Sequence, residues 1–270
     1  SNIPLVAINQ SCTHPERIYD RLRWWESPKE VKCSFKDKLN NYFRRKGANT
    51  IDSFNEIFTG TLTIIPSFPD FDPLNMTNKY NTHYVGPILW DPINDSKYSN
   101  SRIFEDKFKR KIFCYTGRFY DYAGESGVVI FKSLVSLYKD LDLDLVISTG
   151  SEVDKKIAYE ILSEIGIQSN NIKIIDWVPM GIAYSNSDLI IHHGGHGSCL
   201  GQIIYKVPSL ILPTESEREY NARMFEKLGV SDFITKDELK PDIILNKINK
   251  IMNTKNYYNN INYWHNKLNN

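Results

Sequence analysis

Residues 190–201 read IIHHGGHGSCLG, and within them positions 192–197 hold three histidines and three glycines. Glycine lets a backbone approach a ligand closely and take positive φ, and the free N–H groups at a helix start collect anions. If a helix opens at Ser198, then Gly194, Gly195, His196, Gly197 and Ser198 form a cradle for a pyrophosphate. His193, at the end of the preceding apolar run, is placed to donate a ring N–H to a phosphate oxygen. Two other readings compete. A metal could use His192, His193 and His196, but adjacent strand residues point to opposite faces and no acid or cysteine shares the glycine turn. The stretch could also be no more than a tight turn.

The elements around this stretch must bring it to a ligand. From residue 109 onward the hydrophobic period alternates between strand and helix. Strands are expected over 111–117, 143–150, 171–177, 188–193, 208–213 and 230–235. Helices are expected over 127–141, 153–166, 180–187, 198–205 and 218–228. Six apolar runs joined through helices predict an α/β fold with a doubly wound parallel sheet, whose ligand crevice lies at the carboxyl ends of the strands. Gly117 with Arg118, Gly150 with Ser151, and Trp177 with Val178 fall on that edge beside His193. Arg118 there would offset diphosphate charge without a metal, or be a solvated surface residue.

The preceding residues are less regular. A strand over 3–9, helices over 14–25 and 35–47, and a strand over 60–67 suggest part of a second α/β lobe. A passage with Pro69, Pro73, Pro87 and Pro92 reads as an ordered linker. The division expected is 1–86 for this partial lobe, 87–108 for the linker, 109–250 for the nucleotide-binding lobe, and 251–270 for a closing helix packed against another lobe. A chain that opens inside a core strand reads as a piece of something longer.

Composition narrows the function. Lys plus Arg total 33 against 32 Asp plus Glu in 270 residues, so no basic excess draws the chain to nucleic acid or acidic membranes. Any anion must be held locally. Cys12, Cys33, Cys114 and Cys199 are scattered without CxxC pairing, and reduced thiols in a cytoplasmic compartment are expected. No apolar run reaches the length of a transmembrane segment.

WVP at 177–179, HHGGHGSCLGQ at 192–202 and KVPSLILPTESEREYNARMFEKLG at 206–229 resemble the donor-binding carboxyl-terminal lobe of UDP-glycosyltransferases, the glucosyl- and glucuronosyltransferase-like enzymes of the two-lobed GT-B fold. The resemblance implies that Trp177 stacks on the base of a nucleotide-sugar donor and that the Val178 backbone meets its edge. It implies that His193, Gly195, Gly197 and Ser198 hold the diphosphate, and that Glu217 and Arg218 meet the hexose. It also implies an inverting, metal-independent hexosyl transfer from a UDP- or dTDP-linked sugar, with no cofactor beyond the substrate.

Two positions depart from the family pattern. Gly201 stands where a ribose-binding Glu is usual, so that contact is absent or has moved to Gln202. Glu217-Arg218 stands in place of Asp-Gln, and Arg218 either meets a uronic-acid carboxylate or pairs with Glu215 or Glu219. The family's catalytic His and its Asp lie early in the amino-terminal lobe and have no counterpart here. On the order of a hundred residues of that lobe are therefore expected elsewhere, with the acceptor undefined. The alternatives are a non-catalytic nucleotide-sugar-binding subunit that needs a partner, or a UDP-sugar 2-epimerase.

Overall fold

The computed structural model describes residues 4–18, 35–77, 79–92, 103–105, 109–120, 124–137, 143–167 and 172–269. They form two compact units that divide between Ile88 and Leu89. In the first, β1 (Val6–Ile8), α1 (Phe35–Arg45), β2 (Leu62–Ile65) and β3 (Thr82–Tyr84) follow in order. The three strands form one parallel sheet in the order β1-β2-β3. Strand β3 was not expected: its three residues lie inside the proline-rich passage, too short for alternation to show. The helix expected over 14–25 does not form at 14–18, where Arg17 bridges Leu74 instead. Its remainder, most of the linker and Cys33 lie outside the described residues.

The second unit contains β4 (Arg110–Tyr115), α2 (Ser126–Ser136), β5 (Leu143–Ser148), α3 (Glu152–Glu164), β6 (Ile172–Ile175), α4 (Met180–Ser185), β7 (Leu189–His192), α5 (His196–Ile204), β8 (Ser209–Ile211), α6 (Ser216–Lys227) and β9 (Ser231–Phe233). Two further helices, α7 (Pro241–Asn253) and α8 (Lys255–Asn269), close it. All six strands pair in parallel in the order β6-β5-β4-β7-β8-β9. Counted within this sheet the order is 3-2-1-4-5-6, the doubly wound arrangement whose order reverses between β4 and β7. The strands are continuous apolar runs because both faces are covered. Ile112, Leu145, Ile147, Leu189 and Ile191 face one layer of helices, while Phe113, Val146 and Ile190 face the other.

The closing segment differs from expectation in two ways. A new helix begins after Thr254, so residues 251–253 belong to α7. Helix α8 also packs on its own unit: Trp264 Nε1 donates to Leu228 O at 3.2 Å, Asn260 Nδ2 donates to Gly229 O at 3.0 Å, and Ile261 is fully buried. A stripe that looks too narrow for a core is wide enough where backbone acceptors meet its polar flanks.

Asp232 ties the last strand to both closing helices. Its buried carboxylate accepts from Lys247 Nζ, from Lys250 Nζ at 2.7 Å and from the Tyr257 hydroxyl at 3.4 Å. Burial alone would raise this carboxyl, but the two ammonium groups outweigh it and hold the pKa below its ordinary value. A depressed folded pKa contributes stability above the unfolded value near 3.9 that is lost as pH falls through the folded one. Asp232→Asn should therefore lower stability by about 1–2 kcal/mol at pH 7. In urea melts its gap from the wild type should close below about pH 4.

Candidate functional site

At the order reversal, the ends of β4 and β7 lie side by side, with Tyr115 paired in register with His192. The chain leaves β7 through His193 and turns at Gly194, whose φ is +90°. A Cβ on Gly194 would lie 2.7 Å from Arg218 O and 3.1 Å from Ile211 Cγ2, so only glycine fits between β8 and the start of α6. Asn221 Nδ2 on α6 donates to Gly194 O at 2.9 Å and to Glu217 Oε1 at 2.7 Å, clamping the turn. The His192 ring completes it, its Nδ1 accepting the Gly194 N–H at 3.1 Å.

Helix α5 then starts at His196, two residues earlier than expected, with Gly195 as N-cap. Its first intrahelical bond runs from Cys199 N to Gly195 O at 3.0 Å. The N–H groups of His196, Gly197 and Ser198 consequently lie in the first turn, where no i−4 carbonyl reaches them. They carry the positive end of the helix dipole. A Cβ on Gly195 would come within 3.2 Å of His193 Nε2, and one on Gly117 (φ +75°) within 3.5 Å of the same ring. The His193 imidazole thus lies between two glycine turns, edge-on to Tyr115 with centroids 5.3 Å apart.

Both β7-end histidines are neutral. Burial drives His192 down to about 3, and burial followed by the Arg218 charge holds His193 well below its ordinary value. His192 Nε2 and His193 Nδ1 are buried without hydrogen-bond partners among the described residues. Glu217 is pushed up, chiefly by burial, against the hydrogen bond from Asn221. Among the described residues no group of three or more His, Cys, Asp or Glu side chains is arranged to hold a metal.

Alongside this turn lies a cavity of about 270 Å³, lined by Trp90, Asp91, Pro92, Phe113, Tyr115, Ser148, Trp177, Val178, Met180, Tyr184 and Ser198. It brings together Trp177, Val178 and Ser198 from the expected set. Trp177 is 43% exposed, a large aromatic face held at the rim. Ser198 is buried and hydrogen-bonds the Tyr184 phenol, which burial keeps protonated.

The sequence of the Erythromycin biosynthesis protein CIII-like C-terminal domain family matches residues 141–267. An uncharacterized UDP-glucosyltransferase of Bacillus subtilis is 22% identical over 82% of this chain and 51% of its own length. Two solved structures share the fold. The glycotransferase of kitacinnamycin has a TM-score of 0.66 at 16% identity, over 87% of this chain and 58% of that one. The glycosyltransferase VinC in complex with dTDP has 0.60 at 19%, over 90% and 56%. The chain is similar in sequence to UDP-glycosyltransferases and shares the fold of solved glycosyltransferases. It spans about half the length of the curated relatives it matches.

Several of the expected site residues have other work. Gln202 is fully buried, its amide bonded through Nε2 and Oε1 to Ser231 Oγ at 3.0 and 3.1 Å, so it faces the sheet rather than the cavity. Ribose recognition has not moved there. Arg218 Nε pairs with Glu215 Oε1 at 2.9 Å and its guanidinium also meets Thr214 Oγ1, which makes it a structural ion pair. Ser151 caps α3 by accepting from Asp154 N at 3.0 Å, and Gly150 (φ +80°) makes room for the Tyr115 ring. Arg118 is exposed and does not line the cavity.

The lining residues that the sequence did not single out are Trp90, Asp91, Phe113, Tyr115, Ser148, Met180 and Tyr184. Trp90-Asp91-Pro92 carries no periodicity, though an aromatic and an acid beside a proline stood in the passage read as linker. The neutral histidines make a pH statement. Their depressed folded pKa values mean stability present above about pH 6.5 and lost as pH falls toward the folded values. His192→Asn, which keeps an acceptor for Gly194, should lose less stability between about pH 6.5 and 4 than the wild type in chemical denaturation. An unchanged slope would contradict the burial of a neutral ring there.

Proposed function

We propose that this chain carries the donor site of an inverting hexosyltransferase that takes a UDP- or dTDP-linked sugar and an acceptor hydroxyl. The observation that carries this reading is the single cavity shared by the Trp177 indole and Ser198 of the α5 start. In this reading a nucleoside diphosphate lies in that cavity with its base on the indole and its diphosphate on the first-turn N–H groups. The name of the Bacillus subtilis relative and the dTDP held by the VinC structure support the nucleotide class.

In the proposed reaction the acceptor oxygen forms a bond to the anomeric carbon as the bond from that carbon to the diphosphate oxygen breaks. The electron pair leaves on the diphosphate, where the N–H groups of Gly197 and Ser198 and the dipole of α5 stabilise the new charge. In this reading no resident metal or cofactor is required. The acceptor's proton goes to a general base that we do not place on the described residues. His14 is unsuited, being buried with its Nδ1 accepting the Glu16 N–H at 3.1 Å and its Nε2 on Thr82 Oγ1 at 3.0 Å. Burial also lowers its pKa to about 4. Glu217, packed beside the glycine turn, is the candidate for the hexose hydroxyls.

Calorimetric titration with UDP and dTDP should give dissociation constants in the micromolar to millimolar range. Trp177→Ala should weaken binding by about tenfold or more, the contribution of an aromatic–base stack. Failure of both nucleotides to bind, or an unaltered affinity in the variant, would defeat the donor-site reading.

A further inference from the structure

Residues 35–46, which are helix α1 and the residue after it, carry five basic side chains, Lys36, Lys38, Arg44, Arg45 and Lys46, against the single acid Asp37. Their excess of four positive charges is larger than the +1 of the whole chain, so the rest of the molecule is net acidic. Net charge hides this local concentration. Phe35, Lys38, Tyr42 and Arg45, at i, i+3, i+7 and i+10, share one face of the helix. All four are exposed, Phe35 to 55% and Tyr42 to 56%.

The rotation of the helix is fixed from its other side. The buried Asn40 amide clamps the Ile51 backbone, donating to Ile51 O and accepting from Ile51 N, both at 2.9 Å. Leu39 and Phe43 are half-buried on the same flank. Beyond the helix the aromatic surface continues. Phe35 meets Phe54 edge-on with ring centroids 5.8 Å apart, and Phe54 meets Phe58 in the same way at 5.8 Å. Ile57 and Phe58, in the short 3-10 helix Phe54–Phe58, are exposed as well. The cations beside these rings are not spent on carboxylates. Lys38, Arg45 and Lys46 have no ion pair among the described residues. Arg44 bonds the neutral Asn41 amide at 2.8 Å, and Lys46 Nζ lies 6.0 Å from the Tyr42 ring centroid.

A face meant for a protein interior would not set unpaired cations among its aromatics, because burying an unpaired charge costs more than the rings return. A face kept only for solubility would not gather two exposed rings with a further Phe and Ile. Both features are satisfied at the surface of a bilayer. There the rings enter the headgroup layer while ammonium and guanidinium groups meet lipid anions. A nucleic-acid strand would match the cations but offers no apolar phase to Ile57 and Phe58.

We infer that this face is a peripheral docking surface for an anionic bilayer, with Lys38, Arg45 and Lys46 on the headgroups and Phe35 and Tyr42 at the interface. At 11 residues α1 is too short to span a membrane, and it lies along the surface. The inference concerns the first unit alone and stands apart from the donor-site reading.

The test is co-sedimentation of the wild-type chain with vesicles of phosphatidylcholine alone and with about 30% phosphatidylserine added. Binding to the anionic vesicles should be about tenfold or more tighter, and most of that advantage should vanish in about 0.5 M salt. Lys38→Gln combined with Arg45→Gln should weaken it by about tenfold or more, since each surface cation contributes about fivefold. Phe35→Ser combined with Tyr42→Ser leaves the charge unchanged and should weaken it by about fivefold or more. A control pair on the second unit, Lys132→Gln with Lys156→Gln, removes two exposed lysines and should change binding by about twofold or less. If the α1 variants do not keep the wild-type melting temperature, the wild-type lipid and salt series decides alone. Equal binding to neutral and anionic vesicles, or binding to neither, overturns the inference. Unchanged binding in the aromatic variant, or an equal loss in the control pair, overturns it too, by reducing the effect to diffuse charge. Tighter binding to polyuridylate than to the anionic vesicles, lost in the cation variant, assigns the face to nucleic acid instead and overturns it as well.

Discussion

The close approach of the Gly194 backbone to the start of α6 is the constraint on which the site depends. With φ at +90° and Arg218 O where a Cβ would go, the chain leaving β7 can only pass through glycine. The Asn221 amide holds Gly194 O from one side and the His192 ring holds its N–H from the other. Together these contacts set the direction in which α5 departs, and so where its first-turn N–H groups point. An anion site made of backbone donors is only as well defined as the turn that aims them.

Burial at this turn produces a site of low charge. The two histidines at the end of β7 are neutral, and the Arg218 guanidinium is spent on Glu215. A diphosphate entering such a site meets oriented dipoles rather than a cluster of cations. Oriented dipoles need no reorganisation as leaving-group charge develops, which suits stabilisation of a departing diphosphate better than tight binding of the intact donor. The near-zero net charge of the chain fits the same local strategy: 33 basic residues against 32 acidic ones provide no general attraction for anions.

Helix α4 and the Trp90-Asp91-Pro92 segment supply the other wall. Met180 occupies the space over Gly201, while Asp91 joins the α4 backbone to the end of α5 through Gly181 and Tyr205. That wall of the cavity is thus built by a short helix and an irregular segment rather than by the glycine-rich stretch itself. The same carboxylate thereby braces two helices.

Much of this was legible in the chain. Six buried strands alternating with helices showed as period changes, because parallel strands covered on both faces read as unbroken apolar runs. The glycine turn, Trp177 and Ser198 were visible because backbone approach and strand-end placement have local signatures. Strand β3, the packing of α8 on its own unit and the roles of Gln202 and Asp91 were not, whereas the pairing of Arg218 with Glu215 was among the readings the sequence offered. Each of those missed depends on partners far along the chain, such as Ser231, 29 positions away, for Gln202 and Tyr205, 114 positions away, for Asp91. Local residue pattern is enough to specify which backbone turns form and which faces are apolar. Whether a polar side chain is spent inside the protein or left for a ligand is settled only when distant donors and acceptors are brought within hydrogen-bond reach.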